Sequence, residues 1–339
     1  MNPNEPGFGW SESFLGGLPE AEEQMFRDFE RTIVALQRSM AERADGVARR
    51  GFHAKTILNV PRAVVRCGAA IPPALQVGIF QPDREYPAVV RFSSALSDVQ
   101  PDANRQGHGI GFRITAPEGI HDVLLSDSPA SHARDAEQFM ALADALTSRL
   151  RVATVARLIR RVGLREAVRM LYVVLSTSTA KMASVATVPY WSRTPYSFRG
   201  AAARLVLKPR DTRGVGTPGS GRDYLGNELQ QRLADGDVEF DLAAQLFVDD
   251  KRTPIEDGSV EWLERDSPPI HLARLTMPRQ DLTSPDAQRQ AAAIDRIAFT
   301  PWNVVGDIRP LGSLNRARRP VYLASARERG GSLTAEQNR

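Results

Sequence analysis

Arg50-Gly51-Phe52-His53-Ala54-Lys55 marks the point at which the chain changes period, and its reading decides the fold. Ahead of it, across residues 19–46, Met25, Phe29, Ile33, Leu36 and Met40 recur at steps of three and four. That is the spacing of an amphipathic helix, with Gly46 as its stop. Behind it, short β-branched runs separated by Pro, Gly and Asp predict strands at 54–60, 62–67, 88–92, 110–115 and 122–125. Further runs at 201–207, 238–248 and 271–277 bring the total to about eight strands, enough to close a barrel and remove its edges.

A second arginine-bearing motif, Arg318-Arg319-Pro320-Val321-Tyr322, stands near the far end. A histidine such as His53 carries acid–base chemistry near neutral pH. A tyrosine four residues after an arginine can become a phenolate, because the neighbouring cation stabilises its charged form. One chemistry that needs both is haem chemistry, with a tyrosinate below the iron and a histidine above it. The plainer alternatives are a strand-edge histidine and a buried tyrosine in an ordinary C-terminal helix.

The two motifs belong to an ordered set. Between them lie Arg91-Phe92-Ser93, Gly107 before an apolar strand, Ser128-Pro129 with Arg134-Asp135 after it, and Phe299-x-Pro301-x-Asn303. In this order, over residues 50–329, the chain resembles the haem catalases and most closely their short relatives, the catalase-related peroxidases. The resemblance implies an α+β fold: a catalase-like eight-stranded antiparallel β-barrel surrounded by helices, with haem b between barrel wall and helices. It implies a haem-dependent peroxidase that reduces hydrogen peroxide or organic hydroperoxides through a ferryl intermediate, with weak catalase activity. The expected partners are the peroxide and a small organic electron donor. Two alternatives stay open: rearrangement of fatty-acid hydroperoxides, as in allene oxide synthases, and a non-enzymatic haem-binding protein.

The same resemblance assigns site residues. His53 is the expected base and Ser93 its partner, with Ser126 beside the reacting oxygens. Tyr322 is the expected axial ligand of the haem iron, and Arg318, one helical turn earlier, its hydrogen-bond donor. Arg50, Arg91 and Arg329 are expected at the haem carboxylates, with Phe139 on the distal face and Phe52 narrowing the pocket. The chain departs from the family at Leu125-Ser126-Asp127-Ser128-Pro129, where true catalases carry an asparagine two residues before a Thr-Pro pair. A serine offers one rotatable hydroxyl where an asparagine offers a planar amide. Whether Ser126 or Asp127 takes that position stays open, and the departure favours peroxidase over catalase activity.

Composition sets the remaining bounds. The 339 residues are 42% hydrophobic, enough for a substantial core and too apolar for general disorder. No run of residues reaches the apolar length of a membrane span. Residues 1–17 lack a basic start and an apolar core, so no secretory signal is expected there. Cys67 stands alone, which fits a reducing cytosol and a cytoplasmic location. The net charge of +4 and pI near 9.4 come from arginine without any recognisable nucleic-acid motif, so no nucleic-acid partner is expected. The histidines other than His53 lack metal-site spacing, and His132 reads as a surface residue. A flexible tail is expected at 1–18, one haem domain at 19–329 with a helical insertion at 134–200, and a frayed tail at 330–339. The insertion is rich in arginine. A pair of helices with a solvated basic face is the favoured reading, and peripheral membrane contact the weaker one. A small assembly such as a homodimer is expected.

Overall fold

The computed structural model describes residues 5–146, 151–177, 181–213 and 216–334. Eight antiparallel strands close a barrel: β1 (Thr56–Cys67), β2 (Glu85–Ser94), β3 (His108–Ala116), β4 (Gly119–Ser126), β5 (Tyr190–Trp191), β7 (Ala201–Pro209), β8 (Val238–Leu246) and β9 (Ile270–Met277). Each pairs with the next in this order, and β9 returns to β1. Two three-residue strands, β6 (Tyr196–Phe198) and β10 (Ile308–Pro310), extend the wall beside β7.

The expected number of strands holds, but its bookkeeping differs. Residues 54–60 and 62–67 are halves of one strand, β1, because Pro61 lacks an N–H yet sits at a register shift between Val60 and Ala63. A bulge is where a strand tolerates proline. The missing strand is β5, two residues long and too short to show a period.

Alternation fixes which way each strand faces. Val90 and Phe92 on β2, Ile110, Phe112 and Ile114 on β3, and Val123 and Leu125 on β4 point into one buried core. The residues between them, Arg91, Ser93, Gly109, Gly111 and Arg113, therefore stand on the outer face of the wall. Phe92 and Phe112 have no exposed surface, and truncating either to alanine would cost about 3–5 kcal/mol.

Seven helices surround the barrel among the described residues: α1 (Pro19–Arg43), α2 (Ala136–Leu146), α3 (Arg151–Val162), α4 (Leu164–Thr177), α5 (Tyr224–Asp235), α6 (Pro285–Arg296) and α7 (Ser313–Glu328). Phe26, Phe29, Ile33 and Leu36 on α1 pack against Met140 on α2 and Val321 on α7 in a second core, which Phe52, Phe139 and Tyr322 border. Helix α1 ends three residues short of Gly46, whose φ of 79° suits a stop. No helix among the described residues is long and apolar enough to cross a membrane.

The N-terminal segment departs from the expected tail. Gly7 bridges Phe247 and Ala202 through backbone hydrogen bonds, Trp10 donates its indole N–H to the Gly200 carbonyl, and Glu12 pairs with Arg309 and Arg316. Residues 5–17 thus strap the barrel to α7. At the other end, Ser332 exchanges backbone hydrogen bonds with Arg296 and Ala298, so residues 330–334 dock beside α6, and 335–339 lie outside the described residues.

Candidate active site

The site forms where the outer face of the wall meets α2 and α7. Strand register sets Thr56, Ser93, Gly109, Ser126 and Trp191 in one row across β1 to β5. His53 lies over this row: its Nδ1 is 3.0 Å from Ser93 Oγ. A Cβ built on Gly109 would stand 2.5 Å from His53 Cε1, so glycine is what lets the imidazole lie against the strand. His53 itself has a φ of 56°, which turns its side chain back over β2 and β3. Burial, then the charges of Arg91, Arg193, Arg318 and Arg50, bring its pKa down to about 3, so the ring is neutral at pH 7.

The row places Ser126 and Asp127 differently. Ser126 pairs with Gly109 and shares its face, whereas the Asp127 carboxylate accepts from the backbone N–H of His108 at 2.8 Å and lies 3.0 Å from its Nδ1. Asp127 is thereby committed to holding the start of β3.

Helix α7 carries Tyr322, which packs against the α1–α2–α7 core. Arg318 Nε donates to Tyr322 Oη at 3.1 Å, and its guanidinium carbon lies 5.0 Å from the ring centroid. Arg318 is in turn oriented by Asn315, whose Oδ1 accepts from Arg318 Nη1 at 3.1 Å and from Thr194 Oγ1 at 3.1 Å. Asn315 is fully buried and donates to the Pro195 carbonyl. It is thus the residue that aims Arg318.

Three guanidiniums meet at one edge. Arg50, from the loop before β1, reaches the carbonyls of Asp295 and Ile297 at 2.8 and 3.0 Å. Arg91 on β2 lies 3.2 Å from Asp295 Oδ1 and donates to the His53 carbonyl at 2.9 Å. Arg329, just beyond α7, donates to the Ile297 carbonyl at 2.9 Å. Burial and the neighbouring charges of Arg50 and Arg329 pull Arg91 down to about 9; burial and Arg50 pull Arg329 down to about 10. Burial raises the Asp295 carboxyl, but Arg91, Thr56 and Arg50 hold it below the usual range. Asp295 is thus one anion facing three cations.

Aromatic rings line the space between. Phe52 and Phe139 meet edge to face at 5.2 Å, and His132 packs on Phe139 at 5.1 Å. His132 is no surface residue: its Nε2 is buried without a hydrogen-bond partner, and burial, with Arg193 and Arg169, brings its pKa down to about 3. Sequence reading also missed Arg193. It sits at φ 58° between β5 and β6, reaches the Ser128 carbonyl at 3.4 Å, and feels Asp127, Arg318 and Tyr322. A lone arginine inside the aromatic run 190–198 was its only signal.

The Phe299-x-Pro301-x-Asn303 motif is structural. Asp122 accepts from the Thr300 backbone, from Asn303 Nδ2 and from Arg113, which pins this loop to β4 and lays Phe299 over Gly111.

The fold recurs in solved structures. A bacterial catalase superposes with a TM-score of 0.64 at 19% identity, covering 86% of this chain and 59% of the catalase. A fungal catalase gives 0.67 at 16% identity, over 86% and 61%, and catalase A from Saccharomyces cerevisiae gives 0.66 at 14%, over 86% and 62%. The chain therefore has the catalase fold and spans about three fifths of the length of these catalases. By sequence it is similar to a catalase-related peroxidase of Mycolicibacterium paratuberculosis (strain ATCC BAA-968 / K-10), 29% identical over 266 residues, 72% of this chain and 78% of that protein. No family model matches it. The chain thus shares the catalase fold and is similar in sequence to a catalase-related peroxidase.

Proposed function

We propose that this chain is a haem-dependent peroxidase that reduces hydrogen peroxide or an organic hydroperoxide at the expense of a small organic donor. The observation that carries the reading is a pair of prepared groups: a neutral, buried His53 tied to Ser93, and a Tyr322 phenol oxygen held by Arg318. The donor set fits haem. Arg50, Arg91 and Arg329 outnumber the one carboxylate of Asp295 by two charges, which matches the two carboxylates of the macrocycle. Tyr322 would bind the iron, the three arginines would hold the carboxylates, and Phe139 and Phe52 would border the ring. Bound haem supplies an iron that accepts a peroxide oxygen, promotes heterolysis of the O–O bond and stores the oxidising equivalents.

The chain's own residues handle the proton. Ser93 Oγ lies 3.4 Å from the Gly109 carbonyl, and donating there leaves it free to accept from His53 Nδ1–H. That tautomer puts the lone pair on Nε2, which can take a peroxide proton and return it to the departing oxygen. Arg91, donating to the His53 carbonyl, fixes the backbone that carries the ring. Arg318 stabilises a phenolate at Tyr322 by one charge-assisted hydrogen bond, and Asn315 keeps it aimed. Ser126 shares the row below His53 but offers a hydroxyl in place of an amide, which supports peroxidase over catalase turnover.

The test is oxidation of a phenolic donor by the haem-loaded chain with hydrogen peroxide, run beside His53→Ala. The variant should retain haem and lose about a hundredfold in peroxide consumption, the scale of a positioned general base. Equal rates in both proteins would remove His53 from the reaction.

A further inference from the structure

We propose that the α3–α4 pair is a docking surface for an anionic lipid bilayer. The sequence-based picture of a solvated basic face explains the arginines but not what stands among them. Of nine large hydrophobic side chains that are exposed among the described residues, five lie on these two helices: Val152, Val155, Leu164, Val168 and Tyr172. Val152 is 83% exposed, Tyr172 70% and Leu164 64%. The inward faces are already occupied, since Leu158, Ala167 and Met170 pack with Leu142 and Ala145 of α2. The outward residues are therefore a second apolar surface. On α4 they fall at 164, 168 and 172, every fourth position, which makes one stripe along a helix. Gly163, at φ 81°, turns the chain between the two helices.

Charge identifies the occupant. Residues 151–177 contain six arginines and a single carboxylate, Glu166. That carboxylate is engaged by Arg134 at 3.1 Å and by Arg169 at 2.8 Å. Arg160 and Arg165, at the junction of the helices, are exposed beside Leu164. A second copy of the chain would bring two such cationic faces together, which repels. A layer with apolar depth and an anionic surface satisfies both sets of side chains: Leu164, Val168 and Tyr172 enter the acyl boundary while the guanidiniums meet phosphate. Tyrosine suits that boundary, having an apolar ring and a polar tip. The surface lies over the active site, because Phe139 of α2 packs both on the α3–α4 cluster and on Phe52 and His132.

The experiment is sedimentation of the haem-loaded full chain with two vesicle preparations, phosphatidylcholine alone and phosphatidylcholine mixed with phosphatidylglycerol. The chain should sediment with the mixed vesicles only, and about 0.5 M salt should release most of it. The double variant Arg160→Glu/Arg165→Glu should weaken partitioning by about thirtyfold or more. Val168→Asp/Tyr172→Asp should weaken it comparably, with the circular dichroism of both variants unchanged. Binding that ignores phosphatidylglycerol, or native-like binding by either folded variant, would overturn the proposal. So would failure to sediment with either vesicle, and light scattering showing a dimer that Val168→Asp/Tyr172→Asp dissolves would then assign the surface to a second copy.

Discussion

Gly109→Ala is the sharpest probe of the distal geometry, because it adds one methyl group beside the base and removes nothing. The new Cβ would lie 2.5 Å from His53 Cε1 and 2.8 Å from Nδ1. Comfortable carbon contacts begin near 3.5 Å, so the imidazole must retreat by about 1 Å. The bond from Nδ1 to Ser93 Oγ, now 3.0 Å, would then stretch towards about 4 Å and cease to be a hydrogen bond. A displacement of this size at a reacting group costs about a hundredfold in rate. Overpacking adds about 1–3 kcal/mol of destabilisation, which leaves the protein folded. The assay is stopped-flow consumption of peroxide by haem-loaded protein, with melting temperature and haem absorption as controls. Because the methyl reaches the reaction through the ring, its other close contact being the Leu125 carbonyl at 3.2 Å, Gly109→Ala placed on a His53→Ala background should cost almost nothing further in rate. Near-native kinetics in the folded single variant would refute the reasoning, as would full additivity in the double variant.

Three other outcomes are expected. Tyr322→Phe should fold, since Phe keeps the contacts with α1 and α2, yet hold haem weakly; normal haem retention would exclude Tyr322 as the iron ligand. Burial lowers His53 and His132 to about 3 and His121 to about 4, so these rings are neutral when folded and take up protons when the chain unfolds below about pH 6.5. Their contribution to stability is therefore complete above that pH and lost as pH falls towards 4 to 3; melting temperature should fall on acidification through this window, while the peroxide rate shows no inflection near pH 6.5. Ser126→Asn should raise oxygen release relative to donor oxidation, measured with an oxygen electrode beside a dye assay, and vigorous oxygen release by the native chain would show that the serine sets no such limit.

Several residues of the candidate site stand out in the sequence. His53 and Tyr322 are side chains whose chemistry shows in a short motif, Ser93 and Arg91 were named by the resemblance to the catalases, and about eight short β-branched runs supplied enough strands for the barrel which that resemblance implied. What escaped depends on distance along the chain. Pro61 read as a strand break because only the partner strand reveals a bulge. The two residues of β5 carry no period, and their role comes from closing the wall between β4 and β7. Gly109 looked like any strand glycine until His53 was seen against it. Asn315 carries no signal of its own because its work is done on Arg318 and Thr194, the latter far away in sequence. Residues 5–17 look like a tail for the same reason: their partners, Phe247, Ala202 and Arg316, are remote.

The anchoring of α7 bears on how the protein is made. Arg50, His53 and Arg91 leave the ribosome early, whereas Arg318, Tyr322 and Arg329 come at the opposite end of the sequence. Domains fold as units once their chain is complete. With Tyr322 as the proposed iron ligand, a chain stopped before α7 would carry His53, Arg50 and Arg91 but no phenol for the iron. The closing step joins the newest segment to the oldest: Arg316 on α7 clasps Glu12 and Glu22, which were translated long before it. On the proposed assignment haem loading would follow completion of α7, and a ribosome-stalled chain lacking α7 should leave haem in solution.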